Sequence, residues 1–336
     1  MIEAATTAPS SALHAELERV LSTHFGAAVR IRRLTGQRAP YGSSNSLALL
    51  SVEIEAGQQL EIVWKDLSPT AVMEAARGVK PDFLRNPLRE IEMYERVLAP
   101  RAVGPAFYGS VVDPTIGRYW LFLAAMPGVP LWQIGEFSAW QEAARWLARF
   151  HAAWLGAPRL ADQHTHLLRC DRAYYRRWLD RLELALARAT SEGRLTLRRV
   201  QKAYEAIIEQ LIELPVSIIH GDFYPANILI QSGKARRVCP VDWELAAVGP
   251  HLLDLAALLA GRWTSRQRLA LAEAYRAALE EIQGGDLDAA AFSRDLRCCR
   301  LFVAVQWLGW SPGWTPPPEQ AHDWLLEAAQ LSALVA

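Results

Sequence analysis

Three oxygen-bearing side chains fall within one short stretch of the chain. Asp222 follows His220 and Gly221, Asn227 stands five positions later, and Asp242 ends an apolar run beyond the turn at Ser232-Gly233. The runs between them, Ile218-Ile219, Ile228-Leu229-Ile230 and the one closing at Val241, read as short buried strands. Two acids and an amide therefore arrive at the ends of stiff elements, where a rigid site can be built. A carboxylate there can orient an attacking hydroxyl and take its proton. An amide oxygen and a second carboxylate are hard ligands of the kind Mg2+ uses while it neutralises phosphates. Taken singly the residues say less. A loop Asp is commonly a turn former, His220 alone reads as a hydrogen-bonded structural histidine, and Asn227 alone as a turn residue. The combination and the spacing carry the chemistry.

The interval from Asp222 to Asn227 equals that of the protein-kinase catalytic loop, H-R-D-x-x-x-x-N, with Asp242 in the place of its later magnesium-binding Asp. Gly221 in place of Arg, and Asp242-Trp243-Glu244 in place of Asp-Phe-Gly, depart from the protein-kinase form. The stretches HGDFYPANIL and VDWELAAVGPHLLDLA resemble the aminoglycoside phosphotransferase and choline kinase superfamily, small-molecule kinases with a protein-kinase-like fold. The resemblance implies Asp222 as catalytic base, Asn227 and Asp242 as magnesium ligands, and Asp254 as a structural support of the site. Glu244 either touches metal or supports its loop, and Asp254 reads equally as a helix N-terminal carboxylate. The resemblance further implies an α+β, two-lobe chain. A nucleotide-binding lobe over 1–125 would hold a five-stranded antiparallel sheet, and a mostly helical lobe over 126–336 would hold the catalytic loop and acceptor pocket.

The first lobe reads accordingly. Residues 11–25 form an amphipathic helix with Leu13, Leu17, Val20 and Leu21 on one face. Strands are expected over 29–34, 47–54 and 60–65. The polar loop 36–46 between the first two lacks a G-x-G-x-x-G. Backbone amides around Gly42, Ser43 and Ser44 can form an anion-binding concavity there, or the loop is an ordinary hairpin connection. Lys65 closes the third strand, where the superfamily places its nucleotide-phosphate lysine. Its expected partner is a glutamate on the helix opened by Asn86-Pro87, and Glu90 fits the family's R-E-x-x-x-Y pattern better than Glu92. Strands over 106–112 and 119–124 lead into LAAMPGVP. There the backbone of Ala125 and Met126 is expected to hydrogen-bond the purine of ATP, with GTP left open.

From residue 138 onward the chain reads as helical outside the motif, over 140–155, 171–188, 195–212, 265–282, 287–308 and 318–335. His151 reads as a packed residue. Tyr174, Tyr175 and Trp178 form an aromatic stripe that suits a core, whereas the Trp310–Trp314 loop could cover a sugar or flat ring. Glu319, Asp323 and Glu327 are the late carboxylates that a cationic acceptor would need, but arginines are as plentiful, so a cationic acceptor does not follow. The 36 basic and 36 acidic residues cancel, which argues against a nucleic-acid or membrane partner. The four cysteines show no C-x-x-C spacing, and the N-terminus has neither the basic nor the apolar region of a signal peptide, which together suggest a reducing cytoplasm. The expected activity is ATP- and Mg2+-dependent phosphorylation of a small hydroxyl compound: an aminoglycoside or other antibiotic, choline, an amino alcohol or a sugar. The alternative is a catalytically weak nucleotide-binding scaffold, which would be expected to lack at least one of Lys65, Asp222, Asn227 and Asp242. A protein kinase is disfavoured because the apolar segment between Asp242 and Asp254 is too short for a phosphorylatable loop. The sequence leaves the acceptor and the oligomeric state open.

Overall fold

The computed structural model describes residues 10–38, 45–55, 57–157, 159–233, 236–310 and 322–335. The chain divides into two compact units, Met1–Pro127 and Gly128–Ala336.

The first unit opens with helix α1 (Ser11–Phe25). The Ser10 hydroxyl accepts the Leu13 N–H at 3.2 Å, and Gly26, at φ +67°, ends the helix. Strands β1 (Ile31–Arg38), β2 (Ser46–Ile54) and β3 (Gln59–Asp66) follow, then the single turn α2 (Glu74–Arg77), helix α3 (Pro87–Glu92), and strands β4 (Phe107–Asp113) and β5 (Arg118–Ala124). The five strands form the expected antiparallel sheet, in the order β1-β2-β3-β5-β4. Strand alternation sends Leu50, Val52, Ile54, Leu60 and Ile62 into one core with Leu13, Leu17, Val20 and Leu21 of α1. Each such side chain contributes about 1.5–3 kcal/mol by leaving water. Lys65 lies an odd number of residues beyond Ile62 and so falls on the opposite face of β3, yet it too is buried.

The second unit contains β6 (Val129–Pro130), α4 (Phe137–Ala152), α5 (Leu160–Gln163), β7 (Leu168–Arg169), α6 (Arg172–Arg188) and α7 (Ser191–Glu213). It continues with β8 (Val216–Ile219), β9 (Ile228–Gln231), β10 (Arg237–Pro240), β11 (Ala247–Pro250), α8 (Leu252–Leu258), α9 (Ser265–Gln283), α10 (Ala289–Trp310) and α11 (Trp324–Val335). Two small sheets sit inside this helical unit, one ordered β10-β9-β6 and the other β7-β11-β8. The segment carrying Asp222 crosses from β8 in one sheet to β9 in the other. The segment carrying Asp242 crosses back from β10 to β11. The aromatic stripe of α6 is core: Tyr174, Tyr175 and Trp178 are buried, and Phe302 of α10 packs against both tyrosines.

Several boundaries differ from the sequence reading. Strand β1 runs on to Arg38 because it pairs with β2 as far as Arg38–Ala48. Helix α3 passes into a π-helical turn over Met93–Leu98. Strand β11 is not signalled by its sequence, because AVGP is buried at every position and so shows no alternation. The loop from Ser43 and Ser44 lies outside the described residues, as do Trp314 and Glu319.

Candidate active site

The loop between β8 and β9 is closed on itself. Asn227 donates its Nδ2 to the Asp222 carbonyl at 3.0 Å and to the Asp222 carboxylate Oδ2 at 2.8 Å. The Tyr224 N–H donates to the Asp222 carbonyl at 2.7 Å, and the Asn227 N–H donates to the Tyr224 carbonyl at 2.9 Å. Pro225 opens the 3-10 turn that brings Asn227 round, its fixed φ suiting a first helical position. The acid and the amide therefore share a hydrogen bond that sets the Asp222 rotamer. With Nδ2 committed, the Asn227 Oδ1 is the end left to act as a hard acceptor.

Asp242 has φ +66°, a left-handed conformation that a non-glycine residue adopts at a cost of about 1–3 kcal/mol. Such strain persists where the surroundings over-determine it, and here two bonds do so. The Val241 N–H donates to the Asn227 carbonyl at 2.9 Å. His220 Nε2 lies 3.0 Å from the Val241 carbonyl, while the Asp222 N–H points at His220 Nδ1 at 3.3 Å. A carbonyl only accepts and a backbone N–H only donates, so this imidazole is neutral with its proton on Nε2. His220 thus ties the residue before Asp242 to Asp222 itself, and the buried Trp243 packs 4.4 Å from its ring. Glu244 is half-buried in the turn that follows.

Asp254, in the first turn of α8, supports the same loop. Its Oδ2 accepts the His220 N–H at 2.6 Å, and its Oδ1 accepts the Gly221 N–H at 2.9 Å. His151 Nε2 lies 3.2 Å from Oδ2. The Tyr275 hydroxyl sits 2.9 Å from His151 Nδ1 and 2.7 Å from His251 Nδ1. A carboxylate only accepts, so His151 donates to Asp254 through Nε2, and the Tyr275 hydroxyl bridges the His151 and His251 rings. Burial, and then the neighbouring His151, push the His251 pKa down to about 3, which keeps it neutral. Burial holds the Tyr275 hydroxyl well above its usual range. Gly221 itself has φ +77°, and a Cβ there would lie 2.1 Å from the Leu245 carbonyl oxygen, so no other residue fits.

Two further contacts have no local sequence signal. Trp307 of α10 donates its indole N–H to the Tyr224 hydroxyl, and its ring stacks at 5.3 Å on Trp324 of α11. Burial, then the nearby Asp222 charge, raise the Tyr224 hydroxyl well above its ordinary value, so it remains a donor.

In the first unit, Lys65 Nζ lies 2.6 Å from Glu90 Oε2 with both side chains buried. The approach is a charge contact rather than an aligned hydrogen bond. Glu92 instead faces Arg96 at 3.6 Å. After β5, the Ala125 N–H donates to the Glu61 carbonyl at 2.8 Å. That bond leaves the Ala125 carbonyl and the Met126 N–H as the backbone groups that could read a purine. Among the described residues no three His, Cys, Asp or Glu side chains converge as a ready-made metal cage. Mg2+ bound through one or two protein oxygens plus nucleotide phosphates needs none, and the oxygens of Asn227 and Asp242 suit that mode.

Known structures share this arrangement of elements. The GDP complex of an aminoglycoside 2'-phosphotransferase-IIIa mutant matches with a TM-score of 0.57 at 15% identity, over 96% of this chain and 97% of that one. A choline kinase from Streptococcus pneumoniae matches with a TM-score of 0.57 at 15% identity, over 97% of this chain and 99% of that one. An ethanolamine kinase from Plasmodium vivax matches with a TM-score of 0.57 at 13% identity, over 90% of this chain and 81% of that one. At these identities the likeness establishes the protein-kinase-like fold. No curated protein matches the sequence significantly. The model of the phosphotransferase enzyme family APH does match, over residues 77–292. That span is well over half of the chain and includes Glu90, the closed Asp222–Asn227 loop, Asp242 and Asp254, so the chain belongs to the APH phosphotransferase enzyme family.

Proposed function

We propose that this chain is a small-molecule kinase that transfers the γ-phosphoryl group of ATP to a hydroxyl of a small acceptor. The observation that carries the reading is the 2.8 Å bond from Asn227 to the Asp222 carboxylate, in a loop joined through His220 to the strained Asp242. In this reading the first unit binds nucleotide, with Lys65 on its phosphates and Glu90 fixing the lysine. The second unit carries the catalytic loop and receives the acceptor. GTP remains an acceptable donor, since the purine is read by the Ala125 and Met126 backbone; relatives of this fold are known as GDP and AMP complexes.

Asp222 orients the acceptor hydroxyl and takes its proton. The transition state of phosphoryl transfer is loose, so the hydroxyl need not be deprotonated before attack, and the proton passes late to the carboxylate. Asn227 holds Asp222 in place through Nδ2 and turns Oδ1 outward. That oxygen and the Asp242 carboxylate would hold Mg2+. When bound, Mg2+ supplies neutralisation of the phosphate oxygens. Free cysteines throughout suit a reducing cytoplasm, and among the described residues no helix is long and apolar enough to cross a membrane.

The test is ATP-dependent phosphorylation across a panel of alcohols, sugars, amino alcohols and aminoglycosides. Phosphoryl transfer should occur with at least one compound and be abolished in Asp242→Ala. Transfer by that variant at the parent rate would overturn the assignment.

A further inference from the structure

Behind the candidate catalytic loop lies a small cavity, wholly inside the second unit. Gly221 and Tyr224, on either side of Asp222, form one wall; Asp254 of α8 forms another; Phe302, Val303 and Gln306 of α10 close it. The three α10 residues are spaced three and four apart, so they share one face of the helix. Counting its open mouth the cavity is about 350 Å3, but its enclosed part has room for little more than one water-sized group.

Gln306 is the unexplained residue. It is only 8% exposed, yet its side-chain amide makes no hydrogen bond to any described residue. Its amide lines the cavity with its hydrogen-bonding groups uncommitted within the described protein, so they are available to a group that arrives from outside. The amide offers both a carbonyl and an NH2. A hydroxyl satisfies both, because it donates and accepts, whereas an ammonium has no lone pair to receive the NH2.

The surrounding charges agree. Asp254 already accepts from His220, Gly221 and His151. Of the late carboxylates, Glu327 is met by Arg300 at 2.6 Å and His322 at 2.5 Å, and Asp323 caps α11 through the Leu326 N–H at 2.9 Å. Burial would raise the Glu327 carboxyl, but His322 and Arg300 outweigh it and hold it below its ordinary value. Asp254, the one carboxylate lining the cavity among the described residues, and Glu327 thus each have partners within the protein.

We infer that this cavity is an acceptor subsite for an uncharged hydroxyl group, a second hydroxyl beside the one that is phosphorylated, with Gln306 as its specificity-determining residue. The inference rests on the small-molecule kinase reading and narrows its acceptor to neutral polyhydroxy compounds such as sugars, polyols or nucleosides.

The experiment compares neutral polyols, pentoses, hexoses and nucleosides with amino alcohols and aminoglycosides as acceptors, in the parent, Gln306→Leu and Asp222→Asn. The parent should phosphorylate a neutral compound in preference to any cationic one. Gln306→Leu should lower kcat/KM for that compound about 10-fold, the loss falling on the acceptor's KM, as expected for one or two hydrogen bonds. Gln306→Asn, which draws the amide back by one methylene, should shift KM in the same direction and serves if the leucine variant fails to fold. A parent that phosphorylates only cationic compounds overturns the subsite, as does a kcat/KM within twofold in a folded Gln306 variant. In either case, loss of turnover in Asp222→Asn leaves the kinase reading standing. A parent with no transfer to any compound, or an Asp222→Asn variant as active as the parent, overturns the kinase reading and the subsite with it.

Discussion

The Asp254 carboxylate accepts the backbone N–H of Gly221 at 2.9 Å across 33 positions of sequence, so the residue before the candidate base is held from a separate helix. With the His220 N–H and the His151 ring on the same carboxylate, Asp254 satisfies three buried donors at once. Asp254→Ala leaves all three unsatisfied. We expect a loss of about 3–5 kcal/mol of stability, toward the severe end for a single substitution, since each orphaned buried donor costs about 1–3 kcal/mol. Urea unfolding measures it. Turnover should fall further than the folded fraction explains, because the loop carrying Asp222 loses its anchor. Parent-like stability would show that water replaces the carboxylate without penalty.

Lys65 and Glu90 make a different kind of test, because a buried pair binds function and stability together. Glu90→Gln removes the carboxylate that lies 2.6 Å from a buried ammonium and should cost about 3–5 kcal/mol. Replacing both residues, Lys65→Met with Glu90→Leu, removes both charges and should recover most of that loss. It should not recover ATP affinity if Lys65 contacts phosphate. Unfolding curves beside nucleotide titrations separate the two effects. A double variant that binds ATP as the parent does would remove Lys65 from the phosphate site.

How much of this was legible in the sequence follows from the range of the interactions. Helix α1 and strands β2 and β3 were readable because their apolar positions repeat at the helical or strand period. The Asp222–Asn227–Asp242 spacing was readable because one loop pair carries it. The network behind it was not. His151, Asp254, Tyr275 and His251 converge from three helices and the residue that precedes α8, and no local pattern marks them as partners. His151 read simply as a packed residue, which its full burial supports, but its place between Tyr275 and Asp254 depends on the tertiary fold. The bond between Trp307 and Tyr224 spans 83 positions and is equally silent. Gly221 is a case between these extremes: its motif position was evident, but the carbonyl of Leu245 that excludes a side chain was not.

His251 gives the fold a defined acid sensitivity. Its pKa falls from 6.5 in the unfolded chain to about 3 in the folded one, so as pH drops the unfolded state takes up the proton first. Its contribution is fully present above the unfolded value and is lost as pH falls from there toward the folded one. By pH 5 the loss should be about 2 kcal/mol. His251→Gln should remove this component, so its unfolding free energy should fall less steeply between about pH 7.5 and about pH 5 than the parent's. Equal slopes for the two proteins would show that another group carries the titration.

The most direct prediction concerns Asp222. In Asp222→Asn the new amide can turn its oxygen toward Asn227 Nδ2 and so keep the bond that closes the loop. Its NH2 then faces outward, where a carboxylate oxygen would have received the acceptor's proton. Shape, loop geometry and the ties to His220 are retained, so the fold and ATP affinity should remain close to the parent's. Turnover should fall by roughly a hundred- to ten-thousand-fold, the range for a positioned acid–base group, or about 3 to 5 kcal/mol of barrier. Because the proton moves late, the loss should appear in kcat with little change in the KM for ATP. Steady-state kinetics beside nucleotide titration on the folded variant provide the measurement. Turnover within a few-fold of the parent would mean that the hydroxyl is oriented by another group and that Asp222 serves only to close the loop.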